Sequence, residues 1–249
     1  RQKHYDCLLS CTNRDLAARR QGVELLTSRH VDGMVLMDTR LPAGKLNGIA
    51  RRYPLVLCCE HSEGAELPCI SIDDEQAGFD AVQSLLAKGH RRIALVSNRE
   101  VDSARKRTAG YRRALQEAGI REDPALQIER YEYSSQAGMQ ACETFLALPQ
   151  PPTAVFCISD DLAAGVCHTL CRHGLQPGKD VDVVGFDNTP ISRVFVPAIT
   201  TVSQPRRELG IKAMEKLLQR MEGAPCQKEN IYLPHRLMQR ESTGFLTEE

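Results

Sequence analysis

Short apolar runs alternate along this chain with segments in which apolar side chains recur every three or four residues. The runs are typical of strands that are buried on both faces, and the spaced segments are typical of amphipathic helices. We predict strands at Tyr5–Ser10, Asp32–Met37, Tyr53–Cys59, Leu67–Ile72, Ile93–Ser97, Ile128–Tyr133, Thr153–Ser159, Asp182–Asp187 and Asn230–Pro234. We predict helices at Asp15–Arg29, Asp74–Lys88, Ser103–Glu117, Gln136–Leu146, Asp160–Arg172 and Pro205–Glu222.

This alternation indicates an α/β fold with doubly wound parallel sheets covered by helices on both faces. About ten strands in 249 residues suit two such lobes. Ligands bind beyond the carboxyl ends of the strands in sheets of this kind, so the segments that follow each strand are candidate site residues. A doubly wound lobe normally has its first strand in the sheet centre. We therefore expect the chain to begin after that strand.

Charge and hydropathy indicate whether these residues bind DNA or a membrane. Lys plus Arg and Asp plus Glu both number 32, so the formal net charge is zero. A module that binds DNA by itself usually has a basic excess, because neutralising phosphates dominates its affinity. We therefore expect no DNA binding by these residues alone. No apolar run is long enough to span a membrane and no signal peptide opens the chain, so we expect no membrane partner.

The ten cysteines follow no metal-binding or disulfide pattern. Cys58 and Cys59 are adjacent, and there is no C-x-x-C pair. Cys167 and Cys171 lie one helical turn apart with His168 between them, which leaves a metal site as the alternative, but no second ligand pair has the expected spacing. We expect reduced thiols in a cytoplasmic protein, most of them buried as small apolar side chains, with no metal and no cofactor.

Four segments carry a resemblance to a known family. They are "GHRRIALVS", "SARKRTAGYRRAL", "PTAVFCISDDLAAG" and "DVDVVGFDNTPISRVFVPAITTVSQPRRELG". In this order and at these spacings they resemble the core of lactose-repressor-family regulators, over nearly the whole chain. The resemblance implies two periplasmic-binding-protein-like type I lobes, joined by three crossings, that form a homodimer. It also implies operator DNA binding through an N-terminal helix-turn-helix headpiece that is absent from this chain.

The resemblance implies a division of the chain into lobes. Residues 1–73 and 203–225 would form the N-terminal lobe, and residues 74–202 and 226–249 would form the C-terminal lobe. The N-terminal lobe would lack its first strand and helix.

Three residues are the main candidates for binding an effector. Asp187 ends a predicted strand, and its carboxylate can accept hydrogen bonds from vicinal hydroxyls, although an aspartate here could also simply form the turn. Arg107 offers a planar guanidinium to a carbonyl or to paired hydroxyls. Tyr133 ends a predicted strand and could stack on a ring or pack at an edge. The resemblance implies effector contacts for all three, and we expect replacement of Arg107 to leave the unliganded stability little changed.

Three further residues are weaker candidates for the same site. Ser103 matches a hydroxyl that contacts ligand in the family, and its alternative role is a helix N-cap. Asp160 begins a predicted helix, so it is expected first as an N-cap and second as a pocket residue. Thr39 follows the predicted strand Asp32–Met37. The sequence departs from the family at Cys59, where relatives often have Asp or Asn, and Glu60 follows it.

The function implied is an effector-sensing core of a bacterial repressor. The segments "DGMVLMDTRLP", "ELPCISIDDEQAGFDAV", "LALPQPPTAVFC" and "TTVSQPRRELGIKAM" resemble a nucleoside-responsive member, which implies a nucleoside such as cytidine as the small-molecule effector. A sugar or purine effector is the alternative, and a periplasmic-type solute receptor is a second. An enzyme is not expected, because the sequence has no G-x-S-x-G, phosphate loop or Ser/His/Asp order.

Overall fold

Strands and helices alternate through the residues that the computed structural model describes, which are 5–11, 16–37 and 40–244. The strands are β1 (Met34–Leu36), β2 (Leu55–Cys58), β3 (Cys69–Ser71), β4 (Ile93–Ser97), β5 (Gln127–Glu129), β6 (Ala154–Cys157), β7 (Asp182–Phe186), β8 (Thr200–Ser203), β9 (Asn230–Tyr232) and β10 (Arg236–Met238). The helices are α1 (Leu16–Thr27), α2 (Ala43–Ala50), α3 (Asp74–Ala87), α4 (Asp102–Glu117), α5 (Ser135–Leu146), α6 (Asp160–Arg172), α7 (Pro190–Val194) and α8 (Arg206–Met221). The predicted α/β architecture is confirmed.

The strands form two sheets. The first has the order β1-β2-β3-β9, and the second has the order β10-β8-β7-β6-β4-β5. All pairs are parallel except the pair of β10 with β8. Every residue of β2, β4, β6 and β7 is buried, which explains why these strands are unbroken apolar runs in the sequence. We call the first sheet with α1, α2 and α8 the first lobe, and the second sheet with α3 to α7 the second lobe.

The chain crosses between the lobes three times, as expected: from β3 to α3, from β8 to α8, and from β9 to β10. The predicted division of the chain was wrong at the last crossing, because it assigned 226–249 to the second lobe. Ile231 of β9 pairs with Ile70 of β3, so β9 is the fourth strand of the first sheet. The chain passes to the second lobe only after β9. A three-residue edge strand is too short for its sequence pattern to indicate which sheet it joins.

Two predicted strands differ from the structure. Tyr5–Ser10 forms no strand, and Leu9 is 84% exposed. A strand requires a neighbour to accept its hydrogen bonds, and no described segment pairs with these residues. The prediction of Ile128–Tyr133 was too long, because β5 is an edge strand that pairs with β4 only over Gln127–Glu129. Tyr133 lies in the loop before α5.

Paired glycines let two helix pairs of the second lobe approach closely. Gly78 of α3 and Gly110 of α4 face each other's backbones: a Cβ on Gly110 would lie 2.1 Å from the carbonyl oxygen of Glu75. Gly138 of α5 and Gly165 of α6 make an equivalent crossing. The α3–α4 crossing matters for function, because Arg107 lies one turn before Gly110 on the same helix.

We predict that Gly110→Ala lowers the free energy of unfolding by about 2–3 kcal/mol, because the added methyl group forces the two helix backbones apart. The gain in helix propensity, about 1 kcal/mol, does not offset this cost. Gly48→Ala in α2 is the matched control, since its Cβ would meet no atom within 4 Å, and it should stabilise the protein slightly. Urea unfolding followed by circular dichroism measures both. Equal effects of the two substitutions would contradict the close crossing.

Candidate functional site

A cavity of about 660 Å³ lies between the two lobes, at the carboxyl ends of strands from both sheets. This volume is within the range of small-molecule sites. The first lobe supplies mostly apolar walls, from Val35 of β1, from Met37 just beyond it and from Leu209, Ala213 and Met214 of α8. The second lobe supplies most of the polar groups. Four of the six predicted residues lie in this wall: Ser103, Arg107, Tyr133 and Asp187.

Arg107 is held in place by groups from several elements. It is 5% exposed, its Nε donates to Oδ1 of Asp74 at 2.8 Å, and its Nη1 donates to the carbonyl oxygen of Ile158 at 2.8 Å. Its guanidinium carbon lies 3.6 Å from the centre of the Phe186 ring, a cation–π contact. Burial opposes the charge, but Asp74 and Asp187 raise the pKa of Arg107 above its usual value. The side chain is therefore a fixed cation.

Asp187 lies in a rigid turn at the end of β7. Asp187 and Asn188 both have positive φ angles, 97° and 51°, which aspartate and asparagine tolerate better than other side chains. Asp187 Oδ1 accepts a hydrogen bond from Gln204 Nε2 at 2.5 Å and lies 3.8 Å from Arg107 Nη1. The amide of Asn188 donates to Ser203 Oγ, and Arg206 donates to the Asn188 carbonyl oxygen. The turn presents one carboxylate to the cavity in a fixed orientation.

Ser103 is bound to the other lobe. Its Oγ donates to Oε1 of Glu60 at 2.5 Å, and its backbone N–H donates to Oε2 of the same carboxylate at 3.2 Å. Ser103 is not the N-cap of α4, because that position is Val101, which has no capping side chain. Glu60 instead satisfies an N-terminal N–H of α4 from across the gap between the lobes. Burial raises the pKa of Glu60, while its hydrogen bonds to Ser103 act in the opposite direction.

Asp160 lies behind the wall of the cavity. It is fully buried, and its oxygens accept hydrogen bonds from the backbone and hydroxyl of Thr189 and from the hydroxyl of Thr201. Burial raises its pKa to about 6. The expectation that Asp160 caps α6 was wrong, since Ser159 does so by accepting from the N–H of Leu162. We now propose that Asp160 supports the Asp187 turn. The remaining predicted residue, Thr39, lies outside the described residues.

Sequence reasoning missed the partners that fix these groups. Gln204 directly follows β8, so the rule of strand carboxyl ends could have identified it. Asp74 is the first residue of α3, where a carboxylate normally suits the helix dipole, and nothing local pointed to Arg107. Glu60 was named from the sequence but assigned no role in the site. In each case the contact joins residues that are distant in the chain.

The residues that the structure describes contain neither a metal cluster nor a membrane-spanning helix. No group of three or more His, Cys, Asp or Glu side chains there is arranged to hold a metal ion. Within the same residues, no helix has the length and apolarity needed to cross a membrane.

Comparison with known proteins places the chain among transcriptional regulators. Residues 82–243 match the model of a periplasmic binding protein-like domain. The chain is 37% identical to the HTH-type transcriptional repressor CytR of Escherichia coli K12, over 90% of this chain and 66% of that protein. It is 33% identical to catabolite control protein A of Priestia megaterium, over 96% and 73%. The chain thus spans just under two thirds of the first relative.

Two solved structures have folds similar to that of this chain. A protein from Actinobacillus succinogenes has a TM-score of 0.89 and 34% identity, covering 97% of this chain and 89% of that one. The lac repressor dimer bound to operator and an anti-inducer has a TM-score of 0.81 and 27% identity, covering 92% and 79%.

We predict that Arg107→Met destabilises the unliganded protein by about 3–5 kcal/mol, because it leaves the buried carboxylate of Asp74 without a counter-ion. This revises the expectation that replacing Arg107 affects ligand binding alone. Adding Asp74→Asn should recover much of the loss. Arg105→Ala, on the exposed face of the same helix, should change the free energy of unfolding by less than about 0.5 kcal/mol.

Urea unfolding of the four proteins measures these differences. An Arg107→Met variant as stable as the parent would show that the buried pair does not hold the site together.

Proposed function

Because this chain belongs to the lactose-repressor (LacI) family of transcriptional regulators, we propose that it is the effector-sensing and dimerisation core of a repressor. A small molecule binds between the two lobes and alters how they are joined. The role is regulatory and not enzymatic. Operator DNA would be contacted by residues outside these 249, which is consistent with their net charge of zero.

The observation that supports this proposal best is that hydrogen bonds from the first lobe and from a crossing between the lobes form part of the cavity wall. Gln204 lies in the segment that crosses from β8 of the second lobe to α8 of the first, and its amide donates to Asp187 at the end of β7. Glu60 of the first lobe binds Ser103 of the second. A ligand hydroxyl that takes Asp187 as its acceptor competes with Gln204. Ligand binding and the contacts between the lobes are therefore linked.

Such linkage is what an allosteric sensor requires. An effector shifts an equilibrium between two states only by as much as its affinity for them differs. Here the difference arises because Asp187 has one partner without the ligand and another with it. The rigid turn around Asn188 and the fixed cation of Arg107 keep the second-lobe side of the cavity constant. The first lobe can then move against it as a unit.

A nucleoside fits the chemistry of the wall. Asp187 accepts hydrogen bonds from the ribose hydroxyls, Arg107 donates to a base carbonyl or a sugar oxygen, and Tyr133 stacks on the base. Met37 and Met214 supply polarisable apolar surface that suits a flat ring. A free sugar would use Asp187 in the same way but would leave the apolar wall unfilled. We therefore place the sugar or purine alternative second and a solute receptor third.

Dimerisation has a candidate surface on the second lobe. Val194 and Val196 are 75% and 84% exposed on the segment that follows β7. Two neighbouring exposed valines are costly in water and fit burial against a second copy of the chain. The Lac repressor structure similar to this chain is a dimer.

We predict that cytidine raises the melting temperature of the parent protein more than ribose or free cytosine does, because only the nucleoside engages both Asp187 and Tyr133. Asp187→Asn should weaken cytidine about 10–100-fold, since it removes the charge while asparagine still tolerates the positive φ. Tyr133→Leu should weaken cytidine more than ribose. Calorimetric titration measures each affinity.

Tyr131→Leu is the control, because Tyr131 is 65% exposed and does not line the cavity. Parent-like binding by both Asp187→Asn and Tyr133→Leu would remove the assignment of this cavity as the effector site. Tighter binding of a pentose or a purine base than of cytidine would put the alternative effectors first.

We predict that the parent sediments as a dimer at micromolar concentration and that Val196→Lys weakens the dimer at least about tenfold, because it buries a charge in the interface. The control is Tyr131→Lys, which places the same charge on another exposed part of the second lobe. Sedimentation velocity distinguishes the species. A parent that remains monomeric at high micromolar concentration would contradict the proposed dimer.

A further inference from the structure

Two adjacent thiols are in contact in the wall of the cavity. Cys58 is the last residue of β2 and Cys59 follows it, and their sulfur atoms lie 3.6 Å apart. Adjacent side chains of an extended strand point to opposite faces, which would keep two such sulfurs apart. Here Cys59 has a φ of 65°, a left-handed conformation that brings its side chain to the same side as that of Cys58. The backbone N–H of Cys59 still pairs with the Ile70 carbonyl oxygen, so β3 holds this conformation.

The left-handed conformation at Cys59 has an energetic cost. A residue with a Cβ adopts it with strain, and glycine would adopt it with little. The left-handed conformation does not require a thiol, because asparagine and aspartate adopt it more readily than cysteine. With cysteine at this position and at the preceding one, the conformation brings two sulfurs together. Strained residues of this kind concentrate at functional sites.

Access and environment distinguish this pair from the other buried thiols. Cys58 and Cys59 both line the cavity, so a small solute that enters the cavity reaches them. Cys142, Cys157 and Cys167 are buried in the core of the second lobe, and burial raises the pKa of each thiol. Thiols of that kind are inert, because the thiolate is the reactive form.

The contact also gives the two thiols different roles. Either sulfur can donate the hydrogen bond between them, and when Cys59 donates, this bond lowers the pKa of Cys58. The same hydrogen bond, together with burial, raises the pKa of Cys59. Cys58 is thus the nucleophile of the pair, and Cys59 is placed to resolve whatever forms on it.

We propose that Cys58 and Cys59 are a covalent modification site, at which a peroxide converts the two thiols into a vicinal disulfide in the wall of the cavity. The sulfur of Cys58 attacks one oxygen of the peroxide, the O–O bond breaks, and Cys58 becomes a sulfenic acid while the other oxygen leaves as water or alcohol. The sulfur of Cys59 then attacks the sulfur of Cys58, the S–O bond breaks, and the oxygen of the sulfenic acid leaves as water. The two sulfurs lose two electrons in total, and the peroxide gains them.

The bridge is reversible and changes the shape of the site. Forming it requires the sulfurs to approach from 3.6 Å to about 2.05 Å. The Cα atoms of adjacent residues are about 3.8 Å apart across a trans peptide, closer than the usual range for a disulfide, so the bridge is strained and open to reduction by a dithiol. The next residue is Glu60, which binds Ser103 of the other lobe. Forming the disulfide displaces the backbone from which the Glu60 side chain reaches Ser103.

The test of the modification does not depend on the effector. The full chain is treated with hydrogen peroxide, its remaining thiols are alkylated after unfolding, and its peptides are weighed. We expect the peptide that contains Cys58 and Cys59 to lack two hydrogens and to resist alkylation, and dithiothreitol to restore both thiols. Cys59→Ser should stop at a sulfenic acid that dimedone traps, and Cys171→Ser, a change at an exposed thiol elsewhere, should still form the bridge.

Three results would overturn the modification site. They are free thiols at both positions under conditions that oxidise Cys171, a bridge from either thiol to Cys69, and a bridge only between two chains. Titration of reduced and oxidised protein with cytidine then tests the effect on the site, which rests on the proposed function. We expect oxidation to weaken binding about tenfold. Unchanged affinity would refute this effect, whereas no binding by the reduced protein would count against the proposed function and leave the disulfide result standing.

Discussion

A buried guanidinium must replace its lost hydration with protein partners, and Arg107 finds them on separate elements of the second lobe. Asp74 begins α3, Ile158 follows β6, and Phe186 ends β7. One side chain of α4 thereby contacts the start of a helix and the ends of two strands. The close glycine crossing of α3 and α4 makes the pair with Asp74 possible. The position of the Asp187 carboxylate, and with it the polar half of the cavity, depends on this arrangement.

The polar contacts between the lobes are of a different kind. Glu60 contributes a side chain from the first lobe, and Gln204 contributes one from the segment that crosses from β8 to α8. Burial disfavours the charge on Glu60, so part of what its hydrogen bonds gain is lost to desolvation. These polar contacts add to apolar packing that is continuous between the sheets, since Val56 of β2 belongs to the same buried cluster as Phe186 of β7.

The parts of the molecule that sequence predicted are those governed by local pattern. Strands β2, β4, β6 and β7 were found because burial on both faces leaves an unbroken apolar run. The strand-end rule and the family resemblance brought Arg107 and Asp187 to one place. Helix α2 was missed, since its two glycines lower helix propensity in an eight-residue segment.

The remaining differences arise from contacts that no local pattern encodes. Tyr5–Ser10 has the composition of a strand, but pairing depends on a partner elsewhere in the chain. Asp74 reaches Arg107 from 33 residues away, and Glu60 reaches Ser103 from 43. Such pairs follow from how helices cross and how lobes meet. Asp160 illustrates the same limit, because its place at the start of a helix did not reveal that Thr189 and Thr201 occupy its oxygens.

The position of β9 in the first sheet has a consequence for biosynthesis. The first lobe contains β1 to β3 from early in the chain, but its sheet ends with β9, and α8 packs against its strands. Synthesis of the first lobe begins first. Residue 232 must nevertheless leave the ribosome before the sheet of that lobe can be completed. The second lobe waits slightly longer, because β10 lies at its edge and ends at Met238. Both lobes can be completed within about a second of each other, at roughly 5–20 residues added per second, and the unfinished edge of β3 is a site for misassembly until then.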